Sequence, residues 1–254
     1  MTVGEKPEEY SIPKYLFRYR PFEDQFDSLR RILVNNEWYF GSRVAFDDQD
    51  DCKLPGILMD RDYMRSLMAK KDGGLTKDRE DEIERFLADP VEAERRTVDE
   101  VQGYVNRAGI LCLSELHEDP ELWRIYADNG RGVCLCLETF EIASAPDYAE
   151  RGPFEVRYSD DPKRPWDPRG DQSYQVAQTE DHLMRKSTKW AYQKEWRFIV
   201  TRGSESTVGD HPMPPTALRA VILGRRLTDP ERERIQSWIR SGPFAHAVCC
   251  DRPE

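Results

Sequence analysis

Apolar and polar positions along the chain follow two periods, one typical of strands and one typical of helices. Short runs rich in apolar and β-forming residues predict strands at 15–19, 38–40, 109–113, 132–137, 154–158, 195–201 and 217–223. Apolar residues spaced i, i+3, i+4 predict a helix over 27–35, with Asp27 or Ser28 placed to cap it. A later helix is predicted to begin at the capping-box pattern of Thr228 and Glu231 and to end at Gly242.

The segment 60–107 is highly charged and has the helical period. Its apolar residues form two stripes on either side of Pro90: Ile83, Phe86 and Leu87, then Val98, Val101, Tyr104 and Val105. We predict a helical insertion that packs one face on the core of a single domain spanning 1–254. Because the strands are separated by unequal insertions, the predicted fold class is α+β, with mixed or antiparallel sheets of short strands.

Composition limits the classes of partner. The chain has 254 residues, of which 34% are charged, and a net charge of −10. Because nucleic-acid affinity comes largely from neutralising phosphates, this excess of acid disfavours a duplex nucleic-acid partner. No run approaches the ~20 apolar residues that cross a bilayer, and the charged start has no apolar core typical of a signal peptide. We therefore expect a cytoplasmic protein with reduced thiols and no membrane partner.

Two common cofactor signatures are missing from the sequence. The six cysteines include no Cys-x-x-Cys pair, so the usual zinc spacing is absent, and no metal site is predicted from them. Glycine clusters of the Walker and dinucleotide-binding types are also absent. If the chain binds NAD, the site is therefore not a Rossmann crevice.

Several segments together resemble a bacterial family known as domain of unknown function 2971. The matching segments are Phe17-Arg18-Tyr19-Arg20, residues 37–42, Cys112-Leu113-Ser114, residues 122–127 and Gly132-Val133-Cys134. The most specific match is the set Lys186, Trp190, Tyr192, Glu195, Trp196 and Arg197. A further family motif is matched only in part by residues 46–51. The resemblance covers most of the chain but implies little about function, so the chemistry depends on the residues.

Gln193-Lys194-Glu195 lies where a loop becomes a predicted strand, so Gln193 and Glu195 are expected to point the same way. The pattern resembles the Gln/Glu-x-Glu motif of mono-ADP-ribosyltransferases, and the fold is then expected to be similar to theirs. The resemblance implies that Glu195 binds a ribose hydroxyl of NAD and stabilises the oxocarbenium-like state as nicotinamide leaves. It implies that Gln193 contacts the acceptor.

The same resemblance implies further contacts with NAD, which is the substrate rather than a resident cofactor. A cation on the first strand, Arg18 or Arg20, is expected to bind the diphosphate. A small hydroxyl on a central strand is expected at Ser114, with Ser42 as second choice, and Tyr126 or Tyr39 is expected to hold nicotinamide. The outcome is ADP-ribosyl transfer or NAD glycohydrolysis. The acceptor stays open among protein, nucleic acid, small molecule and water.

Three alternatives remain open at the level of sequence. Glu195 and Arg197 could form a cross-strand ion pair of structural value, with Trp190 and Trp196 in the core. Likewise, Arg18 and Arg20 could pair with Glu23 or Asp24 at the surface. Asp47, Asp48, Asp50 and Asp51 could hold Mg²⁺ in a metal-dependent hydrolase or nuclease, although such a run is more typical of a solvated turn. Finally, the chain could be a non-enzymatic interaction module in bacterial defence.

Overall fold

The fold is known from a computed structural model, which describes residues 11–23, 27–58, 60–70, 76–148, 151–202 and 205–252. Its strands are β1 (Tyr15–Pro21), β2 (Trp38–Phe40), β3 (Gly109–Ser114), β4 (Gly132–Glu138), β5 (Phe154–Glu155), β6 (Arg157–Tyr158), β7 (Arg185–Lys186), β8 (Glu195–Val200), β9 (Gly209–His211), β10 (Leu218–Leu223) and β11 (Val248–Asp251). Its α-helices are α1 (Ser28–Asn35), α2 (Arg61–Lys70), α3 (Lys77–Phe86), α4 (Pro90–Arg107), α5 (Pro120–Tyr126), α6 (Thr139–Ala143), α7 (Gln172–Met184) and α8 (Asp229–Ser241). The predicted α+β class is confirmed.

Seven of these strands form one sheet in the order β11-β10-β4-β1-β3-β8-β5. Neighbouring strands are antiparallel, except that β11 pairs with β10 in parallel. Two small two-stranded sheets, β2 with β9 and β6 with β7, lie beside it. The mostly antiparallel arrangement of short strands agrees with the sequence-based prediction.

The sheet is not evenly closed between β1 and β3. Strand β1 pairs with β4 along its whole length, from Tyr15 opposite Glu138 to Pro21 opposite Gly132. Against β3, by contrast, β1 has one registered pair, Phe17 opposite Ser114, although both strands are fully described. The two strands therefore diverge beyond this pair, and the gap becomes important for the site.

Apolar side chains on the two faces of β1 enter different clusters, as expected for the period of a strand. Leu16 belongs to the main core, which joins the sheet to α1 through Leu29 and Ile32 and to α8 through Ile235. Phe17 and Tyr19 belong to a second cluster that includes Trp123 of α5. The sheet is thus covered by helices on both sides of β1.

Helices α2, α3 and α4 occupy the segment predicted as a helical insertion. Ile83 of α3 and Ala93 of α4 are buried. The prediction for Tyr104 is wrong, because its side chain is exposed and lies under the guanidinium of Arg107. Over the described residues, no helix is long and apolar enough to cross a membrane.

Two further local predictions need correction. Asp27 does precede α1, but its backbone is left-handed with φ 52° and its side chain makes no capping hydrogen bond. The strand predicted at 154–158 is broken at Val156, because β5 pairs with β8 while β6 pairs with β7. Helix α8 has the predicted capping box at Thr228 and ends at Gly242.

Candidate functional site

A cavity of about 1030 Å³ opens where β1 diverges from β3. Residues 18–21 of β1 line one side of it, and Ile110, Cys112, Leu113 and Ser114 of β3 line the other. The residues of the predicted site that line it are Arg18, Arg20, Tyr39, Ser114, Tyr126, Gln193 and Glu195. One cavity therefore brings together every residue of the predicted site except Ser42.

Gln193 and Glu195 meet through a turn rather than through strand alternation. Residues Thr188–Gln193 form a 3-10 segment, Lys194 takes a left-handed conformation with φ 43°, and Glu195 is the first residue of β8. Both side chains converge on the ammonium of Lys186, whose Nζ lies 2.8 Å from Gln193 Oε1 and 2.8 Å from Glu195 Oε2. The prediction that they point the same way is correct, but the geometry behind it is different.

Glu195 belongs to a buried cluster of two carboxylates and two cations, which we call the charge cluster: Asp51, Lys186, Glu195 and Arg197. Arg197 Nε donates to Glu195 Oε1 at 2.7 Å, and Arg197 donates to both Asp51 oxygens at 3.1 Å and 2.6 Å. The ion pair of Glu195 with Arg197 therefore exists, but it lies within β8 and not across strands. Burial of charged groups costs free energy, and close partners of opposite charge offset that cost.

The electrostatics of the charge cluster keep Glu195 ionised. Burial alone raises the pKa of this carboxyl, but the adjacent Arg197 and Lys186 outweigh it and lower the pKa to about 2. Burial lowers the pKa of Lys186, yet Glu195 and Asp51 raise it above its ordinary value. The cavity wall thus carries a permanent negative charge at Glu195.

The acidic run 47–51 is a turn that is solvated only in part, at Asp47 and Asp50. Asp51 is 1% exposed and faces Arg197, and Asp48 is also buried. Among the residues the structure describes, no three His, Cys, Asp or Glu side chains are grouped so that they could hold a metal ion. The aspartates of this run therefore lie in different environments.

The two candidate serines hold backbone turns. Ser114 donates to Gln193 O at 2.6 Å and accepts from Leu116 N at 3.0 Å, and its side chain is buried in the cavity wall. Ser42 lies outside the cavity wall, where it donates to Asn106 O at 2.7 Å and caps the 3-10 turn at Val44. Ser114 connects the end of β3 to the turn that presents Gln193.

The cations and aromatic residues of the cavity provide mostly hydrogen-bond donors. Arg18 reaches across the gap to Cys112 O. Arg18 Nε and Trp190 Nε1 find no acceptor among the described residues. Tyr126 accepts a hydrogen bond from Gln193 Nε2 at 2.8 Å, and Tyr39 is 45% exposed at the rim. These donors are suited to oxygen acceptors of a ligand.

The remaining alternatives from the sequence concern the acidic partners proposed for Arg18 and Arg20 and the location of the two tryptophans. Glu23 pairs with Arg131 at 3.7 Å and with Arg234 at 3.6 Å, while Asp24 is outside the described residues. Trp196 is in the main core, but Trp190 lines the cavity. Of the two tryptophans, Trp196 therefore packs in the core and Trp190 belongs to the cavity wall.

Sequence reasoning missed Lys186 and Asp51 as members of the site. Lys186 was visible as part of the 186–197 motif, and its distance of seven residues from Gln193 gave no hint that the two side chains touch. Asp51 comes from a segment more than 140 residues away from Arg197, so only the tertiary fold brings them together. A contact between segments so far apart in sequence leaves no periodic pattern from which it could be predicted.

The fold and site define a chain of α+β class with a cavity of about 1030 Å³ at a gap in its sheet. The model of a family described as protein of unknown function (DUF2971) matches residues 122–198, a span that includes Tyr126, Lys186, Gln193, Glu195 and Arg197. Neither curated proteins nor solved structures give a match. The match covers one wall of the cavity and leaves out β1.

Proposed function

We propose that the chain transfers ADP-ribose from NAD to an acceptor, or hydrolyses NAD when water is the acceptor, as the resemblance of Gln193-Lys194-Glu195 to the mono-ADP-ribosyltransferase motif implies. The observation that supports this most is the arrangement of Arg18, Ser114 and Glu195. They belong to β1, β3 and β8, which are adjacent in the sheet, and all three line one cavity.

The size of the cavity supports a dinucleotide as the ligand. Small-molecule and cofactor sites occupy roughly 300–1,000 Å³. A volume of about 1030 Å³ lies at the upper end of that range and is sufficient for a molecule with two nucleotide halves. The cations of β1 and the donors around Tyr126 line the same cavity and suit an oxygen-rich ligand.

Glu195 has the properties that the reaction requires. The bond between ribose C1′ and the pyridinium nitrogen breaks, the bonding pair leaves with nicotinamide, and positive charge develops on the ribose. A carboxylate with a pKa of about 2 is ionised at neutral pH and stabilises that charge. Its two oxygens accept from Lys186, from Arg197 and from the Cys112 thiol, which leaves one lone pair for a ribose hydroxyl. The acceptor then forms its bond at C1′ and loses a proton to water.

Arg18 and Arg20 are proposed to bind the diphosphate. Both lie on β1 at the cavity wall, and a guanidinium fork matches the geometry of phosphate oxygens. Arg18 has a free Nε among the described contacts, in addition to its bond to Cys112 O. The approach of two arginines from one strand places positive charge along one side of the ligand.

The proposal is tested by titrating NAD into the wild type, Arg18→Ala and Arg20→Ala and measuring heats of binding. Loss of a hydrogen bond from a charged group costs about 1.5–3 kcal/mol, so each variant is expected to bind NAD about ten-fold or more weakly. Arg95→Ala is the matched control, because Arg95 is 59% exposed on α4 and does not line the cavity. Absence of binding by the wild type at millimolar NAD, or equal affinity in all four proteins, contradicts the proposal.

A further inference from the structure

Lys186 lies between the cavity and the charge cluster and contacts three oxygens. Its Nζ is 2.8 Å from Gln193 Oε1, 2.8 Å from Glu195 Oε2 and 3.4 Å from Asp51 Oδ2. Two of its three N–H bonds donate to Gln193 and Glu195, and Asp51 is an ion-pair partner at the longer distance. The side chain is only 9% exposed and is held beneath the ring of Trp190, 5.1 Å away. Lys186 is therefore fixed, and the groups it contacts are fixed with it.

The contact with Lys186 determines which way round the Gln193 amide lies. Because a lysine can only donate, the amide oxygen must face Nζ, and the amide nitrogen must point away from it. That nitrogen donates to the hydroxyl of Tyr126 at 2.8 Å. The Tyr126 oxygen thus already accepts a bond, and its own hydrogen is directed elsewhere.

Tyr126 lines the cavity and stays protonated, since burial raises the pKa of its phenol above the ordinary value. Hydrogen bonds therefore run in one direction, from Lys186 to Gln193 and from Gln193 to Tyr126. Each member polarises the next, and the series starts from a fixed positive charge. The last donor in the series belongs to the cavity wall.

We propose that Lys186 is the positioning residue of this site: it fixes Glu195 and Gln193 and, through Gln193, makes the Tyr126 hydroxyl a donor to a carbonyl or carboxamide oxygen of the ligand. A cationic nitrogen placed against the Tyr126 hydroxyl would meet its hydrogen, so this position favours an oxygen of the ligand over a charged amine or guanidinium. The inference rests on the proposed function for the use of NAD as the probe, but the hydrogen-bond arrangement itself does not depend on it.

The test variant must remove the ammonium without leaving an unpaired charge. Lys186→Met alone leaves Asp51 and Glu195 facing the single cation Arg197. The double variant Lys186→Met, Asp51→Asn removes one cation and one anion and preserves the pair of Glu195 with Arg197. The matched control is Lys189→Met, which makes the same change three residues away at a side chain that is 63% exposed.

The first measurement needs no substrate. Side-chain amide signals of Gln193 and the carboxyl carbon of Glu195 are followed by NMR as pH is changed. In the double variant, the Gln193 signals are expected to shift and the pKa of Glu195 to rise above about 2, because its nearest ammonium is gone. The Lys189→Met protein is expected to resemble the wild type in both signals.

The second measurement is nicotinamide release from NAD. Loss of precise positioning commonly costs about 10²-fold in rate, so the double variant is expected to lose that much in kcat while KM for NAD changes little. Tyr126→Phe keeps the ring and removes the hydroxyl. If Lys186 acts on that hydroxyl, adding Tyr126→Phe to the double variant causes less further loss than Tyr126→Phe causes alone.

The outcomes separate this inference from the proposed function. A folded double variant with unchanged Gln193 signals, unchanged Glu195 titration and the release rate of Lys189→Met overturns the positioning role of Lys186. Shifted NMR signals in the double variant, together with no nicotinamide release even by the wild type, support the positioning role and overturn NAD as the substrate.

Discussion

At the scale of one residue, Arg197 contributes both to the candidate site and to the stability of the fold. The guanidinium is fully buried and donates to Glu195, to both oxygens of Asp51 and to Leu183 O. It joins β8 to the acidic run before α2 and to the end of α7. The same contacts that hold these segments together also keep Glu195 charged.

Removal of Arg197 is therefore expected to destabilise the protein strongly. Arg197→Met leaves two buried carboxylates facing one lysine, and breaking a buried pair in this way costs roughly 3–5 kcal/mol. The free energy of unfolding in urea measures this cost. Arg95→Met is the control, because Arg95 pairs with Glu92 and Asp99 at the surface, where ion pairs contribute about 0–1 kcal/mol. Equal losses in the two variants would contradict the account of the charge cluster.

At the scale of residues, the sequence predicted which side chains lie together in the candidate site but not the contacts that join them. Gln193, Glu195 and Ser114 were predicted together because of the resemblance to the Gln-x-Glu motif of mono-ADP-ribosyltransferases and to the small hydroxyl on their central strand. The ammonium between them was not predicted, since Lys186 is on a two-residue strand that has no periodic pattern of its own. The charge balance of Asp51 with Arg197 depends on a contact across most of the chain.

At the scale of elements, the cavity exists because β1 follows β4 closely and leaves β3. Close approach of β1 to β4 requires glycine at Gly132. A Cβ at this position would be 2.3 Å from Arg20 O and 2.9 Å from Pro21 Cα, both of them backbone atoms. The absence of a side chain at Gly132 therefore allows the end of β1, which carries Arg20, to pack closely on β4.

Gly132→Ala is expected to lower the free energy of unfolding by about 1–3 kcal/mol, as overpacking usually does, and to weaken NAD binding by moving Arg20. Gly103→Ala is the control, because its nearest neighbour is the flexible end of Arg107 at 3.2 Å. Within helix α4, alanine is expected to add about 0.5–1 kcal/mol instead. Urea unfolding of both variants checks the opposite signs, and a Gly132→Ala protein as stable as the wild type would be inconsistent with this packing.

Strands with an obvious apolar pattern were predicted from sequence, whereas others were missed for physical reasons. Helix α7 was not predicted, because its buried side chains, His182, Leu183 and Met184, are concentrated at its end and give no regular stripe. Strand β11 is mostly exposed at the sheet edge, so its sequence has no buried run. The gap between β1 and β3 follows from register, which local patterns do not encode.

At the scale of the whole molecule, net charge is a poor guide to the ligand. The chain carries −10 overall, yet cations slightly outnumber carboxylates in the cavity lining: Arg18, Arg20, Arg31, Arg124 and Lys186 against Asp47, Asp48, Asp128 and Glu195. A local concentration of cations in a concave site attracts anions even when the protein as a whole is acidic. The composition argument against a duplex partner therefore does not extend to a phosphate-bearing small molecule in this cavity.

The central claim is that Glu195 acts in the reaction as well as in the charge cluster. Its most direct test is the rate of nicotinamide release from NAD by the wild type and by Glu195→Gln, divided by the folded fraction from urea unfolding. Glu118→Gln, at a side chain that is 66% exposed, is the control for the same chemical change. Deleting one electrostatic contact with a transition state typically costs about 10²–10³-fold in rate, and that loss is expected for Glu195→Gln with a much smaller change in NAD affinity. A wild type that releases no nicotinamide, or a Glu195→Gln protein that is less stable but retains its rate per folded molecule, would contradict the claim.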